Sequence, residues 1–253
     1  MSRATFDEYK DRYQTIKMRR TDGILEMRFH TNDGPFQWSL LPHAELEQAF
    51  LDVGRDYDNE VVILTGTGNE YCGPQLPPGG HPTRKGMTKE RYDPIAWESK
   101  HLIGNLLNIE VPVISAINGP AYRHPELPLL SDIVIASDDC AFQDSAHFQG
   151  GMVPGDGVHV IFPLLLGPTR GSYFLLTGEV IGAADAHRLG LVNELLPREK
   201  VLDRAWELAH LLLKQDRLVR RYTRACLTED LKRRMQTLLP YGLALEGLAR
   251  MGD

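Results

Sequence analysis

A chain of 253 residues, 42% hydrophobic and 25% charged, has an ordinary globular composition and enough length to bury a sizeable core without disulfides or metal clips. Its 28 Lys and Arg against 34 Asp and Glu leave a net charge of −6, so no chain-wide basic footprint for nucleic acid exists. No apolar run approaches the ~18 residues of a membrane span, Met1 to Arg20 is charged throughout, and Cys72, Cys140 and Cys226 are odd in number and far apart, so the expectation is a cytoplasmic protein in a reducing compartment, off the membrane.

Gly23 to Phe29 alternates as a half-buried strand does. His43 to Tyr57 carries apolar residues at helical spacing, and Glu60 to Leu64 runs as a buried strand into the turn Thr65-Gly66-Thr67-Gly68. The proline- and glycine-rich stretch Gly73 to Gly86 reads as a long irregular loop, a common form of lid or binding loop. Val111 to Ile117 and Ile133 to Ala136 are two more β-branched strands. Alternating strand, helix and turn predicts an α/β fold with buried strands. From Arg198 the chain turns helical: Val201 to Leu213 and Leu218 to Leu248 are amphipathic, with Pro240 expected to break or kink the second. The basic cluster Arg217 to Arg224 with Lys232, Arg233 and Arg234 reads as the solvated face of these helices.

The sequence has no P-loop, no GxGxxG after a strand, no HExxH, no paired CxxC and no GxSxG, so mononucleotide, dinucleotide, zincin and serine-hydrolase readings lack their mechanical parts. Four ordered segments carry a more specific signal. Leu64-Thr65-Gly66-Thr67-Gly68-Asn69-Glu70-Tyr71-Cys72 and Val111-Pro112-Val113-Ile114-Ser115-Ala116-Ile117-Asn118-Gly119-Pro120 resemble the two strands that precede the oxyanion-hole amides of the crotonase superfamily. Phe142 through Pro154-Gly155-Asp156-Gly157, and Leu175-Leu176-Thr177-Gly178-Glu179 through Gly190-Leu191-Val192-Asn193-Glu194, resemble its later motifs. The resemblance implies a crotonase-type spiral of repeated ββα units, with a core over 1–197 and a helical C-terminal region over 198–253 that covers the site and supports a homotrimer or a dimer of trimers.

One fold does not imply one reaction, and the catalytic positions differ from those of a hydratase. Of the two hydratase glutamates, the first matches Glu126, while the position of the second, seven residues before Pro154, holds His147. That histidine, the aspartate after Pro154-Gly155, Trp38, the segment Phe142-Gln143-Asp144-Ser145-Ala146-His147-Phe148 and Gly242-Leu243-Ala244-Leu245-Glu246 resemble the β-diketone hydrolase branch. The segment from Pro120 to Glu126 is one residue shorter than the family spacing, and Pro74 replaces a glycine. Both changes touch the oxyanion hole; Pro74 donates no amide hydrogen, although Gln75 does.

His147 has the chemistry of a general base, and Asp156 would orient its ring; alternatively His147 is a core histidine and Asp156 an N-cap before Gly157. His124, on a loop after a buried strand, can donate to a substrate carbonyl, or else packs under Pro125. Trp38 offers an indole N–H and shapes an apolar pocket. Glu246, among Leu243, Ala244, Leu245 and Leu248, is either paired and functional or on the helix's solvated side. The remaining histidines, His43 included, show no metal-site spacing, and the loose cluster His124, His147 and Asp156 suits acid/base chemistry better than zinc.

The resemblance thus implies a hydrolase of a cyclic or bicyclic diketone. His147 and Asp156 activate water, His124 and Trp38 stabilise the oxyanion and enolate, and no cofactor or metal is required. Two rivals stay open. A CoA-thioester enzyme would use Glu126, with Arg84 and Lys85 as phosphate contacts. A non-catalytic RNA-associated scaffold would need a basic face.

Overall fold

The computed structural model describes residues 3–75 and 86–251. Asp22 and Gly23 both take positive φ, 51° and 79°, the twist a two-residue hairpin requires, and they join β1 (Ile16–Thr21) to β2 (Ile24–Phe29) as an antiparallel pair. β1 escapes the sequence reading because its outward positions, Lys17 and Arg19, make it look like part of a charged N-terminus. β3 (Val61–Thr65), β4 (Val113–Ile117) and β5 (Ile133–Ser137) follow in parallel, and β8 (Glu194–Leu196) closes the six-stranded order β1-β2-β3-β4-β5-β8. Every residue of β3 and β4 is buried, because helices cover both faces of the sheet.

On one face pack α2 (Leu40–Arg55) and α3 (Lys89–Leu107), with the short α1 (Phe6–Tyr9) beside α2. On the other, α8 (Arg198–Leu212) lays Val201, Ala205, Leu208 and Ala209 against Ile24, Val61, Ile63, Ile114, Ala116 and Ile135. Between β4 and β8 run α4 (Glu126–Leu129), β6 (Ala141–Phe142), α5 (Val158–Leu166), α6 (Pro168–Thr177), β7 (Ile181–Gly182) and α7 (Ala183–Arg188).

A second layer positions the site. β6 pairs with β7, and single bridges extend the pairing from Phe142 to Ala121, from Ala121 to Cys72 and from Gly73 to Gln37. The segments that leave β2, β3, β4 and β5 are thereby laid side by side. Trp38, Pro74, His124 and His147 each follow one of these bridges by a few residues.

The last helix, α9 (Arg217–Arg250), crosses this arrangement, starting at Asp216, whose carboxylate accepts from the Leu218 and Val219 amides. Its basic start is not a solvated face. Arg220 and Arg224 are buried; Arg217 and Arg220 pair with Glu60, Arg221 with Glu110, and Arg224 with Asp132 and the Ile109 carbonyl. Opposite charges on the sheet ends turn these cations inward. Arg233 and Arg234 pair along the helix with Glu229 and Asp230. Nor does Pro240 break the helix, which runs on to Arg250.

That continuation docks closely. The Tyr92 hydroxyl donates to the Leu243 carbonyl at 2.6 Å, and Gly155 and Gly242 meet where a side chain on either would strike the other's carbonyl oxygen. No described helix is long and apolar enough to cross a membrane, and the three cysteines are free. A Cβ on Gly242 would lie 2.4 Å from the His159 ring and 2.5 Å from the Gly155 oxygen. We expect Gly242→Ala to cost about 1–3 kcal/mol in urea unfolding, and an unchanged midpoint would contradict this docking.

Candidate active site

The bridged segments deliver their side chains into a cleft of about 390 Å³. Trp38, His43, Pro74, Ser99, Arg123, His124, His147, Asp156, Glu246 and Arg250 are among its lining residues.

The turn after β6 carries Asp144 and His147 three residues apart. His147 is buried and sits between two buried carboxylates: its Nδ1 lies 2.7 Å from Asp144 Oδ1, and its Nε2 lies 3.1 Å from Asp156 Oδ2. Burial works against a charged ring, but Asp144 and Asp156 outweigh it and hold His147 well above the usual imidazole value. Burial alone would raise Asp156, yet His147 and then His124 hold its carboxyl well below the usual range.

Asp156 is not an N-cap. Gly157 occupies that position before α5 with φ 115° and no side-chain cap, leaving Asp156 to face the histidines. The ring also has a second carboxylate partner. Asp144, to which the sequence assigns no role, lies at Nδ1, and Asp156, expected to orient the ring, lies at Nε2. The only sequence signal for Asp144 was its place three residues before His147.

His124 adopts a left-handed backbone, φ 49°, uncommon for a non-glycine residue and costing roughly 1–3 kcal/mol. That bend sets its ring 3.8 Å, centroid to centroid, from Trp38. Its Nδ1 lies 2.9 Å from Glu126 Oε1 and 3.2 Å from Asp156 Oδ2. His124 therefore makes polar contacts and an aromatic stack rather than merely packing under Pro125. Glu126 is buried, and burial raises its carboxyl, opposed by His124 and reinforced by Asp156. His124, Glu126 and Asp156 each bring a ligand atom within 4.8 Å of the others, a spacing that also suits a divalent cation.

The amides of Tyr122 and Arg123 both donate to the Cys72 carbonyl, at 2.8 and 3.1 Å. In the shortened segment the loop turns Arg123 and His124 into the cleft. Gln75 is exposed and does not line the cleft; Arg84 and Lys85 lie outside the described residues.

Glu246 enters from α9, where the Gly155–Gly242 approach sets it beside Asp156. It is buried, 3.3 Å from Arg250, and not on the solvated side of its helix. Burial, opposed by His147 and reinforced by Asp156, pushes its carboxyl up to about 7.

Residues 19–246 match the enoyl-CoA hydratase/isomerase family. The chain belongs to that family. The "Probable enoyl-CoA hydratase EchA12" of Mycobacterium tuberculosis is 30% identical over 65% of this chain and 59% of its own length, so the match leaves a substantial part of that relative uncovered. The 1,2-epoxyphenylacetyl-CoA isomerase of Escherichia coli is 32% identical over 68% of this chain and 66% of its own. Among solved structures, a β-diketone hydrolase from the cyanobacterium Anabaena sp. PCC 7120, bound to (S)-3-oxocyclohexyl acetic acid, is 45% identical over 96% of both chains with a TM-score of 0.90. Within this crotonase fold, the mostly parallel sheet carries its C-terminal helical layer as expected.

The raised Glu246 sets a pH dependence. Its folded-state value, about 7 against an ordinary 4.5, means that the folded protein holds this proton longer than the unfolded chain, so stability falls as pH rises from 4.5 through 7. We expect Glu246→Gln to remove up to roughly 3 kcal/mol of that fall, measured as the difference between the two proteins' urea-unfolding free energies at pH 4.5 and 8. A difference that stays constant with pH would contradict the assignment.

Proposed function

We propose that this chain hydrolyses a carbon–carbon bond of a cyclic or bicyclic 1,3-diketone and releases a keto acid. The observation that carries this reading is the clamped histidine: where hydratases of the family have their second glutamate stands His147, held between Asp144 and Asp156. The similarity to the Anabaena enzyme supports it as well. Joining the acid carbon of that enzyme's ligand to the ring carbon on the far side of the ketone generates a bicyclic 1,3-diketone, so the ligand has the connectivity of a ring-opened product.

The groups divide into a base, an acid and donors. Glu246, with a proton affinity matched to neutral pH, takes a proton from water as the oxygen attacks one carbonyl carbon. The tetrahedral oxyanion collapses to a carboxylic acid. The bond to the central carbon breaks, and its electron pair enters the second carbonyl as an enolate.

His124 donates to the developing charge. Glu126 Oε1, 2.9 Å from His124 Nδ1, orients the ring, while Trp38 packs against it and offers its own indole N–H. Each well-aimed donor contributes about 3 kcal/mol to lowering the barrier. His147 gives its stored proton to the enolate carbon, and the proton held by Glu246 restores it. Substrate plus water yields keto acid, with neither cofactor nor metal.

A paired spectrophotometric assay tests this, following loss of monocyclic and bicyclic 1,3-diketones beside loss of crotonyl-CoA absorbance. We expect diketone turnover without thioester turnover, and a kcat about 10²–10⁴-fold lower in His147→Ala. Thioester turnover alone would move the chemistry to that of the curated relatives, and full diketone activity in His147→Ala would remove His147 from the mechanism.

A further inference from the structure

Another part of the cleft wall carries a hydrogen-bonded chain that the diketone reaction does not use. α2 supplies His43, and α3, packed along it, supplies Glu98 and Ser99. His43 Nδ1 lies 2.7 Å from Glu98 Oε2, and its Nε2 lies 3.0 Å from Ser99 Oγ. Serine hydroxyls inside helices ordinarily bond back to a carbonyl of the preceding turn; Ser99 reaches across to the neighbouring helix instead. His43 and Ser99 are 5% and 7% exposed, and both line the cleft.

The order carboxylate, imidazole, hydroxyl, with the two partners on different ring nitrogens, is the geometry that activates a serine nucleophile. Glu98 accepts from Nδ1–H, which leaves Nε2 free of hydrogen and able to accept from Ser99. Burial, opposed by Glu98 and reinforced by His124, lowers the ring below the ordinary imidazole value, so it is a neutral base at pH 7. Trp38, edge-on to His43 at 5.8 Å, and His124 share with Ser99 the smaller recess beside the cleft, where their N–H groups are candidates for an oxyanion site.

We propose that Ser99, His43 and Glu98 form an acyl-transfer triad that hydrolyses small activated oxoesters through an ester on Ser99. Ser99 Oγ attacks the ester carbonyl as its proton passes to His43 Nε2; the bond to the leaving oxygen breaks, and His43 protonates that oxygen. Water, deprotonated by the same nitrogen, attacks the acyl carbon, and the proton returns to Ser99 as the acid departs. His147, Asp144 and Asp156 take no part.

The test treats the folded, full-length protein with phenylmethylsulfonyl fluoride, which loses fluoride to an activated serine, and locates the sulfonyl group by peptide mass spectrometry; p-nitrophenyl acetate turnover is followed in parallel. We expect labelling of Ser99 with loss of esterase activity, no esterase activity in Ser99→Ala, and labelling slowed about 10²–10⁴-fold in His43→Gln. No label on the unmodified protein, a label on another residue, or Ser99 labelling that proceeds as fast in His43→Gln would overturn the proposal. The unmodified protein's label decides even if a variant fails to fold.

Discussion

Asp144 and Asp156 are both withdrawn from water, and the His147 ring lies between them with one nitrogen for each. Removing the ring would leave two buried carboxylates facing one another without it. That arrangement dictates much of the surrounding architecture. Asp144 and His147 come from the turn after β6, while Asp156 comes from the approach to α5, where Gly157 rather than Asp156 caps the helix. The short bridges from Phe142 to Ala121, Cys72, Gly73 and Gln37 then bring His124 and Trp38 to the same place. The left-handed backbone of His124 persists because Trp38, Glu126 and Asp156 all hold its ring.

The cleft also separates its proton carriers by environment. His147 is pushed upward by two carboxylates, and Glu246 rises to about 7 through burial near an existing negative charge. Two titratable groups, raised for different reasons, thus face one cleft. α9 controls half of this. Its buried arginines anchor it to Glu60, Asp132 and the Ile109 carbonyl at one end. At the other, two facing glycines let it approach closely enough to insert Glu246 beside Asp156.

Much of the fold was legible because β3, β4 and β5 are runs rich in β-branched and aliphatic residues, as buried parallel strands require. What escaped depended on neighbours distant in sequence. β1 hid behind its outward cations. α3 left no clear apolar stripe, since residues such as Glu98 and Ser99 reach inward to partners on α2. The arginines of α9 looked solvated until Glu60, Glu110 and Asp132 appeared opposite them. At the site, family resemblance singled out His147, Asp156, His124, Trp38 and Glu246, which converge on one cleft, whereas Gln75 lies exposed outside its lining. Asp144 was overlooked because Asp156 stood in the more conspicuous motif. His43 was passed over because its partners lie 55 and 56 residues away, beyond any local spacing rule.

The most direct measurement is proton NMR of the purified protein incubated in D2O with a bicyclic 1,3-diketone. Hydrolysis of the carbon–carbon bond predicts that the diketone signals give way to a ring-opened keto acid, with deuterium at the carbon that left as the enolate. A diketone that persists unchanged, under conditions where the same sample converts crotonyl-CoA, would contradict the account.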